Sequence, residues 1–188
     1  MVYMQKQVIL LHGTDGNPDN FWFPYIKNNI DKTKYKVIAP QLPNPDKPDI
    51  KTWLPFTLNN FSFTQDTILV GHSAGCPLIL SILENINTTI EKAILVSGFC
   101  KPLDSDPEPI LQPSYDWEKI KLHSKRFIFI NSVNDPWGCD DKQGRCMFDK
   151  LGGELIIRSD QGHMGSGYFN QPYEEFPLLK ALIETKIP

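Results

Sequence analysis

Six short apolar runs punctuate the chain, at Gln7–Leu11, Tyr35–Ala39, Thr67–Val70, Lys92–Ser97, Phe127–Asn131 and Glu154–Arg158. Each is about five residues long and rich in Val and Ile. Their apolar positions are continuous rather than alternating, the pattern of strands covered on both faces. Between them lie longer amphipathic segments, which predict helices near Phe21–Asn29, Lys51–Asn59, Pro77–Asn85, Trp117–Leu122, Asp141–Leu151 and Tyr173–Thr185. Strand and helix therefore alternate along the whole chain. That order predicts a three-layer α/β/α sandwich with about six mostly parallel strands. Two proline-rich stretches interrupt the rhythm, Pro40–Asp49 and Gly98–Tyr115, and each follows a predicted strand. In open α/β sheets the ligand crevice lies beyond the carboxyl ends of the strands, so these loops are expected to flank a binding site.

The third run ends at Val70 and leads into Gly71-His72-Ser73-Ala74-Gly75, before an apolar stretch opens near Pro77. This is G-x-S-x-G between a strand and a helix. A serine there sits on a sharp turn that lifts its hydroxyl clear of the sheet, and side chains two residues to either side would collide. Pro77 in the first turn of the following helix costs no hydrogen bond. Ser73 is thus the candidate nucleophile. A serine hydroxyl is a weak nucleophile and needs a base. Of the four histidines, His72 lies inside the turn and is expected to point away from the reaction. His12 ends the first strand, where packing or hydrogen bonding accounts for it, and His123 lies in a polar stretch before a strand. His163 follows the last strand in S-D-Q-G-H-M-G, on a glycine-flanked loop that can reach across.

A base histidine needs an orienting carboxylate. Asp135 lies in S-V-N-D-P-W, at the carboxyl end of the fifth strand, with Pro136 holding it extended. Asp140 and Asp141 are rivals better placed to stabilise the start of the next helix. Asp160 is a third, close to His163 in sequence. The order Ser73, Asp135, His163 follows the Ser–acid–His order of the nucleophile-elbow enzymes. An oxyanion hole is expected from the N–H of Ala74 and an N–H of the loop after the first strand, Thr14 being the first choice and Asp15 its rival. Aromatic residues near strand ends, above all Trp22, Phe99 and Trp137 with Phe21 and Trp53 beside them, are candidates to line a substrate pocket.

The bulk properties narrow the function classes. With 188 residues the chain predicts one domain over 1–188, large enough to bury about 70% of its unfolded surface. A net charge of −3 gives no clustered basic footprint for nucleic acid. No apolar run approaches a membrane span, and Met1–Leu11 has no signal-peptide pattern, which together suggest a cytoplasmic protein. Cys76, Cys100, Cys139 and Cys146 show neither a C-x-x-C pair nor zinc spacing, so no metal is expected. With no G-x-G-x-x-G and no G-K-[ST], no cofactor is expected either.

L-H-G-T-D-G-N-P-D-N-F-W-F-P-Y-I-K, V-G-H-S-A-G, V-N-D-P-W and G-H-M-G-S-G-Y together resemble the small α/β-hydrolase serine hydrolases typified by YdeN and the retinoblastoma-binding protein nine-like hydrolases. The resemblance runs from about Val8 to Ile183. It implies a compact α/β-hydrolase core without two leading antiparallel strands or a large lid, carboxylesterase-like activity on small esters, and a triad at Ser73, Asp135 and His163. Asp15 departs from the pattern: an acid aimed into the oxyanion hole would oppose the charge developing there, so it is expected to face outward. Thioester hydrolysis, peptide hydrolysis and acyl transfer share the acyl-enzyme step. A second reading is a hydrolase scaffold that chiefly binds a protein or small-molecule partner. No sequence feature indicates a protein partner.

Overall fold

The computed structural model describes residues 5–103 and 108–185, so part of the second proline-rich loop, 104–107, lies outside the described residues. Twelve elements alternate without exception: β1 (Lys6–Leu11), α1 (Phe23–Asn29), β2 (Tyr35–Ile38), α2 (Ile50–Asn60), β3 (Thr67–His72), α3 (Gly75–Asn85), β4 (Lys92–Val96), α4 (Trp117–Leu122), β5 (Phe127–Ser132), α5 (Asp141–Leu151), β6 (Glu154–Arg158) and α6 (Pro177–Glu184). The strands form one sheet in the order β2-β1-β3-β4-β5-β6. Among the described residues every pairing within this sheet is parallel, so it is wholly rather than mostly parallel.

The period of two along the strands divides the core. Ile9, Leu11, Leu69, Leu95 and Phe129 face one way and pack with Trp53 of α2, Leu78 and Ile82 of α3, Ile120 of α4 and Met147 of α5. Val8, Leu10, Val70, Ile94 and Ile130 face the other way and pack with Phe23 and Ile26 of α1 and Leu179 and Ile183 of α6. This is an α/β/α sandwich of the α/β-hydrolase type. No helix among the described residues is long and apolar enough to cross a membrane.

The observed boundaries depart from the expected ones where local backbone demands it. β3 runs two residues further than the apolar run, because Gly71 and His72 keep pairing with Leu95 and Val96. α1 begins at Phe23 rather than Phe21, whose φ of 52° lies outside the helical region. α6 begins at Pro177 rather than Tyr173. Phe176 precedes a proline and is kept out of the helical region (φ −142°, ψ 70°), so the helix cannot start earlier.

One buried cation ties α6 to the sheet. Lys92 points toward α6 and is fully buried. Its Nζ donates to the carbonyls of Leu182 (3.0 Å), Ile183 (2.9 Å) and Thr185. These belong to the end of α6, where carbonyls have no partner within the helix and the dipole is negative. Burial pulls the ammonium down to about 8, which leaves it mostly protonated at neutral pH. Replacing it removes both the packing of its stem and the donors. Lys92→Ala is expected to lower the unfolding free energy by about 2–4 kcal/mol, read as a fall in the urea midpoint with an unchanged m-value. An unchanged midpoint would show that α6 is held by its apolar face alone.

Candidate active site

A parallel sheet delivers every strand's carboxyl end to one edge. Ser73 follows β3, Asp135 follows β5 and His163 follows β6, so three loops far apart in sequence meet there. Ser73 and His163 line the same cleft, of about 440 Å³.

The turn at Ser73 is enforced by crowding. Ser73 has φ 52°, a region that costs most L-residues energy. A Cβ on Gly71 would lie 2.7 Å from the Gly75 carbonyl oxygen, and one on Gly75 would strike the Leu11 carbonyl oxygen. The Ser73 N–H donates to the Val96 carbonyl (3.0 Å), tying the turn to β4. Ser73 Oγ has no hydrogen-bond partner among the described residues.

His163 and Asp135 are joined directly. His163 Nδ1–H donates to Asp135 Oδ2 at 2.8 Å, and both residues are buried. The other carboxylate oxygen, Oδ1, accepts from the Trp137 N–H (2.9 Å). With Nδ1 carrying the proton, Nε2 is left as the basic nitrogen. Asp140 instead caps α5, accepting from the N–H groups of Lys142 and Gln143, and Asp160 is exposed. Neither bonds to His163.

The backbone of His163 is clamped by three groups that sequence reasoning did not identify. Its carbonyl accepts from His72 Nε2–H (2.9 Å) and from the Ser97 hydroxyl (2.9 Å). Its N–H donates to Gln171 Oε1 (2.8 Å). The β5 and β6 loops are also stitched together. The Gln161 N–H donates to Ser132 Oγ (3.0 Å) and the Gly162 N–H to Asn134 Oδ1 (2.9 Å).

The loop after β1 presses against Ser73: a Cβ on Gly13 would lie 2.7 Å from Ser73 Cβ. His12 holds this loop. Its Nδ1–H donates to the Gly13 carbonyl (2.8 Å) and its Nε2 accepts the Leu42 N–H (2.9 Å). Burial lowers the pKa of His12, in keeping with a neutral ring. The Asp15 N–H is taken by the Pro45 carbonyl (2.7 Å) and so is not free. The N–H groups of Thr14 and Ala74 have no acceptor among the described residues. Thr14 lines the cleft and Ala74, next to Ser73 in the chain, is buried. Asp15 is exposed and borders the cleft.

The aromatic candidates divide. Phe99 and Trp137 line the cleft, as does Phe21. Trp22 does not, and its assignment as a substrate contact is corrected. It is fully buried, stacks on Phe23, and donates its indole N–H to the Met164 carbonyl (3.1 Å). A buried indole needs an acceptor, and here it finds one beside His163. Trp53 is likewise buried in the core. Among the described residues, Asp135, Cys139 and His163 bring metal-ligand atoms within 4.8 Å of one another. Two of them are already bonded to each other, and burial keeps the Cys139 thiol protonated, a poor metal ligand.

Comparison with known proteins fits this geometry. Residues 8–183 match the model of a family described as serine hydrolases. The chain is 36% identical over 138 residues to YdeN of Bacillus subtilis, provisionally named a hydrolase, covering 70% of this chain and 72% of YdeN. It is 25% identical over 154 residues to the serine hydrolase RBBP9 of Rattus norvegicus, covering 80% of this chain and 81% of that one. The solved structure of the ydeN gene product superposes with a TM-score of 0.86 at 27% identity, covering 95% of this chain and 97% of that one. An esterase of Exiguobacterium antarcticum shares the fold, with a TM-score of 0.64 at 17% identity, covering 98% and 94%.

His72 supplies a test of the clamp. Burial lowers its pKa to about 3, against about 6.5 when unfolded. Between those values the unfolded chain binds a proton that the folded one refuses, so stability is lost as the pH falls below about 6.5. In His72→Gln this contribution is expected to vanish, flattening the acid limb by up to about 1.4 kcal/mol per pH unit. Chemical denaturation from pH 7 to pH 4 measures it. Identical slopes in both proteins would mean that His72 is not held neutral.

Proposed function

The chain belongs to the serine hydrolase family, and we propose that it hydrolyses small carboxylic esters through Ser73, His163 and Asp135. The observation that carries this reading is the buried 2.8 Å His163–Asp135 bond, which leaves Nε2 basic beside the cleft that Ser73 lines. In this mechanism His163 Nε2 takes the Ser73 proton as Oγ attacks the ester carbonyl. The tetrahedral oxyanion is held by the N–H groups of Thr14 and Ala74, each worth roughly 10²–10³ in turnover. As the intermediate collapses, the proton on Nε2 passes to the leaving alcohol, and the acyl group stays on Ser73. Water, activated by the same nitrogen, then releases the carboxylic acid and restores the serine. Asp135 keeps the ring in the Nδ1–H tautomer and stabilises the imidazolium formed in each half-reaction.

Substrate size follows from the cleft. Its volume is at the small end for ligand pockets, and α4, one and a half turns long, is the only helix between β4 and β5 among the described residues. Among the described residues nothing of the size of a lid shelters a long acyl chain there. Burial rewards a methylene only while it stays covered.

Steady-state kinetics on a series of p-nitrophenyl esters tests the proposal. The expected kcat/KM peaks at acyl chains of roughly two to six carbons. Ser73→Ala is expected to cost on the order of 10⁶ in turnover, and Asp135→Asn about 10⁴. Asp160→Asn is expected to stay within about twofold, as an exposed carboxylate outside the network. Strong residual turnover in folded Ser73→Ala, or a large loss in Asp160→Asn, would contradict the assignment, and rates rising to twelve or sixteen carbons would contradict the shallow cleft.

A further inference from the structure

Large aromatic side chains are seldom left in water as a contiguous group. Three of them cluster here. Trp137 is 43% exposed, Tyr168 81% and Phe169 39%. Their rings meet at centroid distances of 5.4 Å (Trp137–Tyr168), 5.0 Å (Trp137–Phe169) and 4.9 Å (Tyr168–Phe169). Trp137 and Tyr168 also line the cleft that holds Ser73 and His163, so the cluster is continuous with that site.

The group is held in place from below. Ser166 Oγ accepts both the Trp137 indole N–H (3.3 Å) and the Phe169 N–H (3.3 Å). Tyr168 and Phe169 ride on a short hairpin closed by two hydrogen bonds between Ser166 and Gln171, of 2.9 and 2.8 Å. Gln171 is also the residue that accepts the His163 N–H. Trp137 is bonded through its own N–H to Asp135. The aromatic cluster is thus built on the two loops that carry the acid and the base.

From this placement we propose that Trp137, Tyr168 and Phe169 form a subsite for the leaving alcohol, selecting esters whose alcohol carries a flat aromatic group. The inference rests on the ester-hydrolase reading. The departing oxygen must lie within hydrogen-bond reach of His163 Nε2 to take its proton. The alcohol therefore leaves on the histidine side of the cleft, where the 165–169 segment and Trp137 stand. The acyl carbonyl oxygen points the other way, toward Thr14 and Ala74. Offset or edge-on ring contacts favour an aromatic group over an alkyl group of equal size. Fixed aromatic side chains also lose little conformational freedom on binding.

The test is the ratio of kcat/KM for benzyl acetate to that for ethyl acetate, two esters of the same acid. The wild-type protein is expected to favour the benzyl ester by about tenfold or more. Trp137→Ala and Tyr168→Ala are each expected to cut that preference by about threefold or more, through KM rather than kcat. Trp137→Phe is expected to keep most of the preference, because a ring remains. Tyr168 is 81% exposed and makes no side-chain hydrogen bond among the described residues, so losing its ring contacts should lower the melting temperature of Tyr168→Ala by no more than a few degrees, leaving it folded at assay temperature and separating a binding effect from a folding effect. An unchanged ratio in both alanine variants, or an equal loss on both esters, would overturn the proposal. A wild-type protein that turns over neither ester would fail the catalytic reading instead. Quenching of tryptophan fluorescence by nitrobenzyl alcohol then reads the subsite directly. Quenching lost in Trp137→Ala supports it, and quenching that persists undiminished overturns it.

Discussion

The close approach of three backbone segments around Ser73 is the constraint on which the rest of the site depends. The end of β1, the end of β3 and the start of α3 come together with no room for side chains on Gly13, Gly71 or Gly75. The chain turns from strand to helix at once, and Ser73 is left with positive φ. Such a conformation costs of order 1–3 kcal/mol and persists only where the surroundings over-determine it. Here they do. β3 is buried along its whole length, and α3 buries nine consecutive residues from Gly75 to Leu83. The same crowding brings the loop after β1 against the serine, as the proposed oxyanion hole requires.

The proposed roles of Ser73 as nucleophile and His163 as base require a fixed histidine, and His163 is held through its ring, its carbonyl and its N–H. Its side chain is bound by Asp135, its carbonyl by His72 and Ser97, and its N–H by Gln171. Two of these contacts run back to the turn at Ser73 and to the end of β4, so His163 is referenced to the same strands as the serine. Burial keeps His72 neutral, which keeps its Nε2–H as a donor rather than adding a charge beside His163. Geometry held this tightly is the condition under which positioning contributes to rate.

The parts of the structure that were legible in the sequence are those set by local or strongly periodic signals. Continuous apolar runs mark all six strands, although β2 and β6 at the sheet edges are only partly covered, and the tight turn demands glycine two residues either side of Ser73. The clamp on His163 was not legible. His72 and Ser97 reach a carbonyl 91 and 66 residues away, and nothing in the type of either residue names that partner. Trp22 misled for a related reason. An aromatic residue near a strand end can face the cleft or the core, and the Met164 carbonyl that decides it lies 142 residues on. Lys92 opens the fourth run, and nothing local marks it as the anchor for α6, which it holds through carbonyls some ninety residues on. The exposed ring cluster joins Trp137 to a hairpin some thirty residues later, so its proximity to the cleft emerges only from the assembled loops.

The central claim is that one serine, made reactive by its place on the elbow and by a clamped histidine, carries the chemistry. Treatment with a fluorophosphonate followed by peptide mapping tests it most directly, because the reagent forms a stable bond only to an activated nucleophile. The expected result is one phosphonyl group per chain, on Ser73, with hydrolysis lost in proportion to labelling. Full activity after exhaustive treatment, or the label on any other residue, would contradict the account.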